Sequence, residues 1–172
     1  MASGQRQSRS EQELRDASND LYYELWMFLK LASGLATGVF GESVLSNALL
    51  ESFAIHAKVL LDFLYNDNLD QGELSALDYV PNSEHWIHAR PRKTALLRRV
   101  EADVRHRAAK EIGRLTYDRR LGAPEKTPWP FMRIAKEVND AVDIFLALVP
   151  ERLLGPRWKE ALEQRKTQEA IG

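Results

Sequence analysis

The segment from Glu42 to Asn66 constrains this chain most, because it is apolar almost all the way round at helical spacing. Its richest part, Val44 to Tyr65, is interrupted by Asn47, Glu51, His56, Lys58 and Asp62. At about 100° per residue, Asn47, Glu51, Lys58 and Asp62 fall within about 60° of one another and form a single polar stripe. His56 lies on the opposite side, among Leu45, Leu49, Leu60 and Phe63, which predicts a buried histidine of structural role. A helix of this kind belongs at the centre of a helical fold. With the five breaks, no apolar stretch reaches the roughly 20 residues that span a bilayer.

The flanking segments carry the same period. Ser10 and Glu13 stand at capping-box spacing, and Leu14, Leu21, Leu25, Phe28, Ala32 and Leu35 continue a long amphipathic helix that ends near Gly34. A turn at residues 37–41 leads into the central helix. A third helix is predicted over about Thr94 to Tyr117, with Leu97, Val100, Val104, Ala108, Ile112 and Leu115 on its core face. A fourth begins around Thr127-Pro128-Trp129-Pro130, presents Phe131, Ile134, Val138, Ala141, Val142, Phe145 and Leu148, and stops at Pro150. Gly155-Pro156 opens a short last helix anchored by Trp158, Ala161 and Leu162. No segment alternates as a strand would. The expected fold is all-α: a single-domain bundle of four to five helices over residues 10–168, with residues 1–9 disordered. A long 67–91 connection, holding helical turns near Glu73–Leu77 and Asn82–His88, completes it.

Charge is distributed unevenly behind a formal net charge of -1. From Asp62 to Glu84 there are six acidic residues and no Lys or Arg, whereas Arg90 to Arg120 holds eleven basic residues against four acidic ones. An acidic connection beside a basic helix is either a self-neutralising fold or an open site for a polyanion. The chain has no cysteine, so disulfides and thiolate metal sites are excluded. The polar start, MASGQRQSRSEQE, has no apolar core of a secretory signal, and the expected location is the cytoplasm. At 172 residues a single domain buries about 70% of its unfolded surface.

Three constellations could carry chemistry. His85 and His88 share a helix face beside Glu84, but two ligands do not make a site, and neither a metal nor another cofactor is expected. Glu51, Lys58 and Asp62, with His56 behind them, predict a buried polar network paired to basic residues of the third helix, because an unpaired buried charge costs several kcal/mol. On the third helix Arg99 and His106 are seven apart and so lie about 20° from each other, with Arg107 and Arg114 on an adjacent row. An Arg that neutralises phosphate and a His that moves a proton at a 2′-hydroxyl is a chemistry that cleaves RNA. A solvated basic face is the commoner meaning of the same pattern. The small residues Ala95, Ala102, Ala109 and Gly113 line the far side of this helix, which is expected to be buried on two sides, with the first helix or a second copy as the other neighbour.

The stretch from Glu51 to Tyr65, Leu77-Asp78-Tyr79, Trp86, and Lys110 to Arg119 resemble a family of small uncharacterised bacterial helical proteins, over about residues 45–148. The third helix of that family carries an Asn followed by an Ala-His-Leu-Thr-Tyr segment. This is similar to the motif of the HEPN superfamily, helical proteins that include RNA-cleaving toxins and defence factors, in which an Arg is followed a turn or more later by a His. Aligned on Leu115-Thr116-Tyr117, this chain has Arg114 at the motif His, Gly113 at the Ala and Ala109 at the Asn. Arg107 stands at the motif Arg without its His partner, and His106 pairs with Arg99 out of register.

The resemblance therefore implies a degenerate, non-catalytic HEPN-like module. It would act through protein contacts, as a homodimer through the small-residue face, or through a basic binding face of Arg107, Lys110, Arg114 and Arg119, with RNA as the possible polyanion and no membrane. The alternative is a metal-independent endoribonuclease using Arg99 or Arg107 with His106. A third option is a module that docks on protein surfaces through the acidic connection and Trp86.

Overall fold

The structure is a computed structural model that describes residues 9–67, 72–106 and 129–169. Its described residues contain no strand and form six α-helices: α1 (Glu11–Ala36), α2 (Val44–Tyr65), α3 (Ser83–Ala89), α4 (Ala95–His106), α5 (Phe131–Leu148) and α6 (Pro156–Glu169). Two short 3-10 turns, Ala76–Asp78 and Glu151–Leu153, link them. The all-α class is thus observed. The bundle expected to hold four to five helices shows six, and the short α3 lies inside the predicted 67–91 connection.

Helix ends follow the capping chemistry written in the sequence. At the start of α1 the Ser10 hydroxyl accepts from the Glu13 N–H at 3.2 Å, and the Glu13 carboxylate accepts from the Ser10 N–H at 2.8 Å. Those bonds favour the ionised acid, backbone first, and hold Glu13 below the usual carboxylate range. After α1 the chain reverses through Gly38 (φ 63°) and Gly41 (φ 53°), a left-handed geometry that glycine adopts without a Cβ clash. The Ser43 hydroxyl then accepts from the Ser46 N–H at 3.1 Å to open α2. Helix α5 starts at Phe131, later than expected, with Pro130 at its N-cap position and no side-chain cap, whereas Pro150 follows its end as predicted.

The helix at the centre of contacts is α1 rather than α2. Helix α1 packs against α2, α5, α6 and the Glu151–Leu153 turn, most extensively against α2. Along α2 the buried residues are Phe53, Ala54, His56, Ala57, Leu60, Leu61, Phe63 and Leu64. The opposite face is open: Val44 is 87% exposed, Leu45 52%, Ile55 50% and Val59 40%. All-round apolarity predicted a buried centre, and α2 is instead a half-buried helix with an apolar outer face. Among the described residues it is also the one helix long and apolar enough to cross a membrane by length and composition, with a mean hydropathy of 1.4. That corrects the sequence expectation that no stretch reaches such a length, although α2 puts one apolar side into the bundle core.

Aromatic side chains knit the core. Phe28 of α1 stacks on Phe53 of α2 with centroids 4.9 Å apart. Phe145 of α5 takes edge-to-face contacts from Phe63 at 5.1 Å and from Tyr79 and Trp86, each at 5.8 Å. The connection is therefore pinned to the core: Trp86 is fully buried, and the Tyr79 hydroxyl donates to the Leu14 carbonyl at 3.0 Å. Docking on another protein through Trp86 is ruled out by that burial. Helix α3 lies where a turn was predicted and is capped by Asn82, whose side-chain oxygen accepts from the His85 N–H at 3.0 Å. The other expected turn, Glu73–Leu77, is displaced to Ala76–Asp78, because Ser75 and Asp78 form the cap.

The C-terminal segment clasps α1. The buried Ser18 hydroxyl donates to the Arg15 carbonyl and accepts from the Gly155 N–H, both at 2.7 Å, and Trp158 Nε1 donates to the Ser18 carbonyl at 2.6 Å. Replacing Ser18 with Ala leaves the Gly155 N–H buried without its acceptor, so Ser18→Ala should cost about 1–3 kcal/mol in a denaturant titration. An unchanged midpoint would show that another group takes over the bond.

Burial, with the Asp78 carboxylate second, pushes the Tyr79 hydroxyl far above its ordinary range, and burial shifts Tyr65 in the same direction. Each ionises more readily unfolded than folded. Their contribution to stability is complete below pH ~10 and declines as pH rises past it. Tyr79→Phe should flatten the alkaline fall of Tm; an identical fall in both proteins would assign it to other groups.

Candidate functional site

The motif helix is described only as α4, Ala95–His106, and of its Arg, Asp and Glu side chains all but Arg98, which donates to the Lys93 carbonyl at 2.6 Å, are held in ion pairs. Glu101 accepts from Lys93 Nζ at 2.9 and 2.7 Å and from Arg105 at 2.7 Å. Asp103 lies 3.7 Å from Arg99 Nε and accepts from Trp129 Nε1 at 3.2 Å. Just upstream, Arg90 forks onto Asp67 at 2.8 and 2.7 Å and donates to the Leu64 carbonyl at 3.1 Å. Arg90 and Lys93 also stand over the Tyr65 ring, 5.7 and 5.2 Å from its centroid. The first basic residue of the run is thus closed onto Asp67, near the start of the acidic segment.

Arg99 and His106 lie on one helix, seven residues apart, as expected. Arg107, Lys110, Arg114 and Arg119, and with them Ala109 and Gly113, lie outside the described residues. Ala95 and Ala102 of the small-residue face are exposed. His85 and His88 are exposed on α3, where His88 Nδ1 sits 2.7 Å from the Glu84 carbonyl oxygen. No group of three or more His, Cys, Asp or Glu among the described residues could hold a metal ion.

The network expected of Glu51, His56, Lys58 and Asp62 divides in two. His56 is buried, and its Nδ1 lies 2.6 Å from the Glu24 carboxylate of α1. The Tyr23 ring stands edge-on to the imidazole, 6.0 Å away. Among the described residues Lys58 and Asp62 pair only with each other, at 2.6 Å on successive turns, and Lys58 is exposed. Glu51 is exposed and forms no ion pair among the described residues. The expected buried network bonded to the third helix is therefore not formed: the polar stripe of α2 faces outward, and a surface charge requires no buried partner.

That outward stripe borders the surface the sequence reading missed. Leu45, Ala48, Ser52, Ile55, Val59 and Asp62 recur at alternating steps of three and four, the spacing of a helix-pairing seam. All six are exposed or partly exposed. At its C-terminal end the seam runs into a half-open cavity of about 340 Å³ between α1, α2 and the connection. Its apolar floor includes Leu21, Phe63, Leu74 and Tyr79, and its rim carries Asp20, Glu24, Lys58, Asp62 and Glu73. The heptad-like steps were legible, but they were assigned to core because every face of α2 reads as apolar. Glu24 was legible too, as an acid set between Leu21 and Phe28 on the buried stripe of α1.

Searched against protein-family models, curated proteins and solved structures, the chain finds no match in any of the three.

Glu24→Ala should destabilise by about 1–3 kcal/mol, since it removes the partner of a buried imidazole nitrogen. Glu51→Ala should stay within about 0.5 kcal/mol of the parent, as surface substitutions do. Melting curves of the two variants that changed places would restore the buried network.

Proposed function

We propose that this chain is a non-catalytic helical binding or scaffold module, HEPN-like in kind, that acts through protein contacts in the cytoplasm. The exposed apolar seam of α2 is the observation that carries the reading. Monomeric proteins rarely leave large side chains contiguous on one helix face, and where they do, the face generally meets another macromolecule. A helix that presents apolar residues at steps of three and four is built to take another helix.

The electrostatics of α4 support protein contacts over a polyanion. Lys93, Arg99 and Arg105 each lie against a carboxylate, and Arg90 is closed onto Asp67. A phosphate backbone would have to compete with those acids for these four cations. The alternative, a metal-independent endoribonuclease, requires His106 to act with Arg99 or Arg107, and Arg99 is shared with Asp103.

Incubation of the purified chain with mixed cellular RNA in excess chelator, beside His106→Ala, separates the readings. Intact RNA with both proteins, and no binding that weakens steeply with salt, is the expected result. Cleavage that disappears in His106→Ala would replace the module with an enzyme.

A further inference from the structure

We infer that the occupant of the α2 seam is α2 of a second copy of this chain, laid antiparallel across a two-fold axis. The inference rests on the protein-contact reading above and names its partner. Three features of one helix face lead to it, and each is complementary to another part of the same face.

The first is charge. Glu51 and Lys58 flank the seam on one side and lie seven residues apart, two turns along the helix. In an antiparallel pair whose axis passes between Ala54 and Ile55, Glu51 of each copy stands opposite Lys58 of the other. Two identical ion pairs form, one on either side of the axis. Sliding the helices to centre on Glu51 sets two carboxylates against each other, so charge selects one register. Glu51 has no ion-pair partner among the described residues, and Lys58 has only the acid one turn along its own helix.

The second is shape. The same register carries Val44 and Leu45 of one copy to within a turn of Asp62 and Phe63 of the other, at the mouth of the 340 Å³ cavity. The most exposed apolar side chains of the helix thus meet its half-open apolar recess, and they do so twice by symmetry. The third is room for approach. Ala48 and Ser52 lie on the N-terminal side of Ile55, the seam residue at the axis, and small residues let two helix backbones come close. A contact of this kind is isologous: each patch serves as both knob and hole.

The test is sedimentation equilibrium of the full chain, with Glu51→Lys and Lys58→Glu measured singly, mixed in equal amounts, and combined in one chain. Both positions are exposed, so each variant should melt as the parent does, within the small contribution of a surface pair. The parent should be a dimer. Each single variant sets like charges together at both pairs and should dissociate about tenfold more readily or more. Mixing the two singles restores both pairs in a heterodimer, and combining them in one chain restores both in a homodimer. A monomeric parent, or a dimer indifferent to the reversals, would overturn the inference. So would a parent that stays monomeric in solution yet co-sediments with anionic phospholipid vesicles, which would give the seam to a lipid surface. A monomeric parent with intact RNA sinks this inference alone, whereas RNA cleavage lost in His106→Ala sinks the protein-contact reading beneath it.

Discussion

Phe145 is the point on which the bundle turns. Its ring is met edge-on by Phe63 from α2, Tyr79 from the connection and Trp86 from α3, so one side chain of α5 ties together segments far apart in sequence. A chain without disulfides must hold a long connection by burial and hydrogen bonds, and edge-to-face aromatic contacts add specificity to the area they remove from water. Because Tyr79 and Trp86 are fixed there, the connection forms one wall of the cavity beside α2. The candidate site depends on that wall.

Electrostatics and packing point the same way. The contrast between an acidic segment and a basic one suggests a polyanion site in the sequence, but the fold closes Arg90 onto Asp67 and sets Glu101 between Lys93 and Arg105. Surface pairs of this kind contribute little to stability. Their effect is on recognition, since each paired cation is partly neutralised before any ligand arrives. The feature of the described surface that calls for a partner is apolar.

What could be read from the residues depended on whether their pattern had one side or several. The Ser10–Glu13 cap, the core face of α5, the start of α6 at Pro156 and the buried face of α4 at Leu97, Val100 and Val104 were all legible, because polar residues oppose the apolar ones. Helix α2 was legible as a helix but not in its orientation. When nearly every face is apolar, periodicity cannot tell which faces the core, and only the positions of α1 and α5 decide. The same ambiguity misplaced Glu51, Lys58 and Asp62, whereas His56 was placed correctly because it falls among large aliphatic side chains. Its partner Glu24 comes from another helix, and no local pattern links the two.

The clasp between α1 and the C-terminal segment bears on how the chain is made. Ser18 meets Gly155 and Trp158 across 137 and 140 residues of sequence, and Arg152 reaches Glu11 across 141. Contacts of such separation close late, because the loop entropy between them must be overcome first. Of the described helices, α1 thus precedes all the others in sequence yet depends on the last segment for its completion. Until Trp158 has been synthesised, the α1 face that receives it stays open to water, and the nascent chain carries an unfinished hydrophobic groove while α2 to α5 are made.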